Sequence, residues 1–126
     1  MYVLFVVLNQ PEHLGEIVRK LKDVGIYSAT IIDSVGTAQL RKSMGKEIPF
    51  IGSLMRSLDE VGDNNKTMFT VVESKKQAVK IMDEIEEICG GDMSKPGTGI
   101  MFTIPIDMAR GGSVSRKSLD QMYKAE

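Results

Sequence analysis

The feature that most constrains this chain is a strand–helix–strand pattern that occurs twice. "YVLFVVL" (2–8) is an unbroken run of β-branched, aromatic and aliphatic residues. Such a run fits a central strand covered on both faces, or one buried in an assembly. Asn9 offers an N-cap and Pro11 suits a first helical turn. Leu14, Ile17, Val18 and Leu21 then recur at helical spacing, and Gly25 sits where such a helix ends. "YSATIID" (27–33) supplies the second strand. The pattern restarts near residue 67 with "TMFTVVE", followed by Ser74 and Gln77 at capping-box spacing. Ala78, Ile81, Met82, Ile85, Ile88 and Cys89 form the apolar stripe of a second helix, which stops at Gly90-Gly91. "GIMFTIPI" (99–106) is the fourth strand. Pro105 has no N–H to give to a ladder, so this strand belongs at a sheet edge.

Two β-α-β units in tandem predict an α+β fold, a ferredoxin-like split β-α-β sandwich (βαββαβ) with an antiparallel sheet of order 4-1-3-2. That order puts the strand with Pro105 at an edge. It also brings two oversized connections to one end of the sheet. The first helix-to-strand joint is essentially one glycine, whereas its counterpart is "GGDMSKPGTG" (90–99). The link between strands two and three covers 36–65, far longer than compact domains favour. Long loops that meet on a rigid scaffold are where function concentrates.

Composition narrows the field. A chain of 126 residues forms one domain, and 16 basic against 17 acidic side chains argue against a nucleic-acid surface. Cys89 is the single cysteine, which removes an intrachain disulfide and a CxxC metal site and fits a cytoplasmic location. The apolar opening is too short to span a membrane and lacks a secretion signal's basic start. His13 stands without ligand-spaced neighbours, so metal is not expected. No nucleophile with its base and no paired carboxylates emerge, so the chain does not read as an enzyme.

These residues resemble the PII signal-transduction proteins and their PII-like relatives, over residues 1 to about 110. The likeness is strongest in "VGIYSATIIDSVG" (24–36) and "SKPGTGIMFTIPID" (94–107). The resemblance implies a homotrimer that binds nucleotides in clefts between subunits. It also implies a long loop (36–65, the T-loop) that signals to a protein partner: a transporter, enzyme or regulator. By position, Thr30 matches a threonine near the adenine, Gly36 the glycine at the base of the T-loop, and Gly97 and Gly99 the glycine pair of the phosphate loop (90–99, the B-loop). Lys95 and Thr98 in that loop, and Arg110 after the last strand, complete the expected ligand set. The family lysine that meets the phosphates is replaced by Ile100, and two arginines fall on Gly111 and Ser113. ADP, AMP or a small anion is therefore expected rather than ATP. From the residues alone, the glycines either bend the chain or form a backbone anion nest.

The long loop carries Arg41 and Lys42, then Phe50, Ile51, Leu54 and Met55 near helical spacing. This is the expected partner-docking segment, with a transporter among the partners and no direct membrane insertion. The domain is expected to cover 1–110, with 111–126 a polar tail. Two other readings stay open: a structural or metal-tolerance trimer of the same fold, and an acylphosphatase-like phosphohydrolase. The latter needs an arginine where this loop has Lys95.

Overall fold

The computed structural model describes residues 1–37 and 65–111. Within them a four-stranded antiparallel sheet carries two helices. The strands are β1 (Tyr2–Leu8), β2 (Thr30–Ser34), β3 (Asn65–Val72) and β4 (Gly99–Pro105), in the order β2-β3-β1-β4. This is the expected 4-1-3-2 order, and Pro105 lies on an edge strand whose outer side needs no N–H. The helices are α1 (Leu14–Asp23), entered through a 3₁₀ turn at Pro11–His13, and α2 (Lys75–Ile88).

The register explains the core. Leu4, Val6 and Leu8 of β1 and Met68 and Val72 of β3 are fully buried on one face of the sheet. They meet Ile17 and Leu21 of α1 and Ala78, Ile81 and Ile85 of α2. Full burial of one aliphatic side chain is worth about 1.5–3 kcal/mol, so this layer accounts for much of the driving force for folding. Glycines permit the sharp helix ends: Gly90 and Gly91 adopt φ of 108° and 91°. The start of α2 is capped as the sequence suggests, Gln77 N–H donating to Ser74 Oγ at 3.1 Å and the Gln77 side chain accepting from Glu73 N–H at 2.8 Å.

Three local expectations are corrected. The first helix is not capped by Asn9: its 3₁₀ turn has Gln10 at the N-cap position without a side-chain bond. The Asn9 N–H instead donates to the Thr98 carbonyl at 3.2 Å, tying the end of β1 to the glycine-rich loop. The second strand starts at Thr30, not Tyr27, because the chain must first rise from α1, where Ile26 N–H donates to Leu21 O. There a side chain replaces the ladder, Thr70 Oγ1 donating to Ser28 O at 2.7 Å. Finally, β1 is covered on one face within the chain, and its other face is half-buried.

That second face is apolar too. Phe5 pairs in register with Phe69 on one side and Phe102 on the other. The three rings form a row, with centroids 5.8 and 5.2 Å from Phe5. Ile100, Ile104 and Ile32 lie on the same face by alternation and are exposed.

Candidate functional site

The expected ligand residues fall into two groups. At one end of the sheet, Leu8 pairs with Gly99 on one side and Lys66 on the other, and Ser34 pairs with Asn65. Gly36 and the loop 90–99 are thus brought to the same end. Counting strands at about 4.8 Å, Asn65 and Gly99 lie about 10 Å apart across β1. Thr30 and Arg110 instead line a separate cleft of about 230 Å³, together with Tyr27, Phe69, Glu73 and Gln77. Arg110 follows β4, whose two ends are six residues and about 20 Å apart. One small anion cannot touch Arg110 and the glycine-rich loop of the same chain.

The loop is built from its own hydrogen bonds. Glu86 Oε2 accepts from Met93 N–H at 3.1 Å, fastening the loop to α2. Asp92 Oδ1 accepts from Ser94 N–H at 2.9 Å and from the Ser94 hydroxyl. The Ser94 hydroxyl, then its N–H, hold the Asp92 carboxyl below its ordinary pKa. Thr98 is buried and its hydroxyl donates to Lys95 O at 2.9 Å, so this side chain braces the turn.

The two glycines differ. Gly99, at φ 137°, passes so close to β1 that a Cβ would overlap the Val7 carbonyl oxygen. Gly97, at φ 83°, has open space where a Cβ would be. Its positive φ is a turn requirement, not a packing one. The N–H groups of Gly97 and Thr98 have no protein partner among the described residues, and the Lys95 side chain is exposed beside them. Two free N–H groups and an ammonium can receive an anion. The Asp92 carboxylate, two residues before Ser94's own turn ends, sets a limit on how much negative charge the loop accepts.

Sequence reasoning passed over Asn65. It is 5% exposed at the base of the long loop, and its Oδ1 is buried without a partner. A Cβ on Gly36 would come within 2.9 Å of Asn65 Nδ2, so a bare glycine is what fits beside the amide. A polar residue at the start of an apolar strand was the available signal.

Other candidates take ordinary roles. Asp33 is ion-paired with Lys66. His13 Nε2 lies 3.1 Å from Gln10 Oε1. Burial, and then the nearby Glu12 and Glu86, push the Cys89 thiol above its usual pKa. Among the described residues no three His, Cys, Asp or Glu gather to hold a metal, and no helix is long and apolar enough to cross a membrane. The expected partner residues Arg41, Lys42, Phe50, Ile51, Leu54 and Met55 lie outside the described residues, as does the tail from 112 onward.

Comparison with known proteins gives a consistent picture. The family model described as nitrogen regulatory protein P-II matches residues 3–111. No curated protein matches. Among solved structures, the PII protein of Arabidopsis thaliana bound to citrate superposes with a TM-score of 0.53 at 19% identity. The match covers 83% of this chain and 73% of that one, and it is a likeness of fold.

Proposed function

This chain belongs to the nitrogen regulatory protein P-II family, and from that premise we propose that it is a small-molecule-responsive regulator whose ligand site is completed by a neighbouring subunit. The observation that carries the proposal is the division of the ligand residues. Gly36, Lys95, Gly97 and Gly99 occupy one end of the sheet, while Thr30 and Arg110 line a cleft apart from it. A closed ring of identical chains presents the loop of one subunit to the cleft of the next, and a heterologous contact of that kind closes into a ring. The exposed apolar row of Phe5, Phe69 and Phe102, with Ile32, Ile100 and Ile104, supplies the surface such a ring buries. The expected stoichiometry is three.

The ligand is an adenine nucleotide of few charges, or a small carboxylate. Free N–H groups at Gly97 and Thr98, the Lys95 ammonium and a neighbour's Arg110 receive its anionic end. Ile100 in place of a lysine removes a charged hydrogen bond worth about 1.5–3 kcal/mol, which lowers affinity for a triphosphate about 10- to 100-fold. The citrate bound by the Arabidopsis protein is a precedent, within this fold, for a small polyanion. The bound state is passed to a protein partner through residues 36–65, with Arg41, Lys42, Phe50, Ile51, Leu54 and Met55 as the docking set. The protein acts in the cytoplasm and performs no chemistry on its ligand.

Calorimetry with ADP, AMP, ATP and citrate tests this reading. ADP, AMP or citrate is expected to bind at least as well as ATP, and Gly97→Val to remove binding while the fold is kept. An absence of binding by all four at millimolar concentration would leave the glycines as a turn alone.

A further inference from the structure

Asn65 presents a hydrogen-bonding problem that the chain does not solve. Its Oδ1 is buried and accepts nothing, and leaving such a group unpaired is unfavourable enough that native proteins rarely do so without a use. The neighbouring hydroxyls cannot help. Ser34 Oγ donates to the Asn65 carbonyl at 3.3 Å, and Ser34 and Thr67 hydroxyls lie 2.7 Å apart. With Ser34 donating to that carbonyl, Thr67 donates to Ser34, and neither proton remains for Oδ1. By register the nearest cation, Lys66, belongs to the opposite face of the sheet and is paired with Asp33. Gly36 leaves the amide uncovered, since any Cβ there would press on it. The result is a pocket of acceptors, with lone pairs of Asn65, Ser34 and Thr67 and no free proton to offer.

We propose that Asn65 is a specificity-determining residue: it takes a hydrogen-bond donor, a hydroxyl or amine, from the ligand whose anionic end is held by the loop 90–99. This rests on the reading of that loop as an anion site. The two places are about 10 Å apart across β1, within the span of a small polyfunctional molecule. A ligand that is anionic at one end and carries a hydroxyl or amine elsewhere satisfies both. One that presents a deprotonated oxygen to Oδ1 is rejected by lone-pair repulsion. Selectivity therefore comes from neutral hydrogen bonding as well as from charge.

A matched pair of probes isolates the hydroxyl: citrate, and propane-1,2,3-tricarboxylate, which lacks it. Both are titrated calorimetrically into the full chain, and melting temperatures are recorded without ligand for wild type, Asn65→Leu and Asn65→Asp. Wild type should bind citrate about 5- to 10-fold more tightly than its hydroxyl-free twin, the ratio expected for one hydrogen bond. In Asn65→Leu that ratio should fall to about one, while the ligand-free melting temperature rises by a few degrees because an unpaired buried amide is gone. Asn65→Asp, which keeps the acceptor, should retain the preference. Equal wild-type affinities would overturn the proposal, and so would a lower melting temperature for Asn65→Leu, which would mean that the amide is a structural bond. Should neither tricarboxylate bind, the anion-loop reading fails by itself. The melting temperature of Asn65→Leu then decides whether Asn65 is an unsatisfied acceptor, a rise supporting it and a fall ending it.

Discussion

The two faces of the sheet are nearly equal in chemistry and opposite in fate. On one, Leu4, Val6, Leu8, Met68 and Val72 lie at 0% exposure beneath two helices. On the other, Phe5, Phe69 and Phe102 form a stacked row at the centre, yet Phe102 stays 40% exposed and Ile104 46%. The unbroken apolar run of β1 is explained by both faces together. Alternation would have been enough if the chain worked alone. The difference teaches that one face makes the fold and the other is set aside for copies of the chain. The ligand residues divide accordingly, between the loop end and the Arg110 cleft.

The largest effects should separate the two faces. Leu4→Ala opens a cavity in the helix-covered layer and should cost about 2–5 kcal/mol, read as a lower denaturation midpoint at every protein concentration. Phe102→Asp, on the open face, should instead leave the helical circular-dichroism signal intact and reduce the mass seen by light scattering to that of one chain. If Phe102→Asp unfolds the protein as Leu4→Ala does, the distinction between the faces is lost.

Next in size is the pair of loop glycines. Gly99→Ala places a Cβ against the Val7 carbonyl, so β4 must shift away from β1. A loss of a few kcal/mol is expected, of the order found for overpacked sites. Gly97→Ala meets open space and carries only the left-handed backbone penalty, about 1–2 kcal/mol. Urea titrations of the two variants compare a structural glycine with one kept for its turn.

The smallest effects concern charge in the loop. Lys95→Ala should weaken anion binding about threefold, more at low ionic strength, because the exposed ammonium is screened. Asp92→Asn should act in the other direction. The amide oxygen still accepts from Ser94, and a repelling charge is removed. The sign of the pH effect follows from the lowered carboxyl pKa. The contribution of the Asp92–Ser94 turn is complete above the ordinary carboxylate range and is lost as pH falls through the depressed value. Acid titration of the Asp92 carboxyl by NMR checks this.

Much of this was legible in the residues. Helical and strand periodicities located every element, and the prolyl ring of Pro105 was enough to choose the edge. Errors arose where tertiary contacts overrode local preference. Tyr27–Ala29 favour a strand, but the climb from α1 keeps them out of the ladder. Asn9 is a good cap by type, yet its backbone is drawn to Thr98. The roles of Gly97 and Gly99 could not be told apart, since what separates them is the distance to Val7. The Thr98 hydroxyl reads as a ligand contact in the sequence and braces Lys95 in the structure. Asn65 was missed because an orphaned acceptor is a property of surroundings, not of spacing.

The central claim is that one ligand site needs two chains, and mixing two damaged subunits tests it most directly. Gly97→Val spoils the loop and leaves Arg110; Arg110→Glu spoils the cleft and leaves the loop. Each alone should bind no ADP or citrate, whichever of these the wild type binds. Co-refolded in equal amounts and titrated calorimetrically, random rings should regain about a quarter of the wild-type sites, because one junction in four joins an intact loop to an intact cleft. A mixture as silent as its parents, though assembled, would contradict the account and place the whole site within one chain.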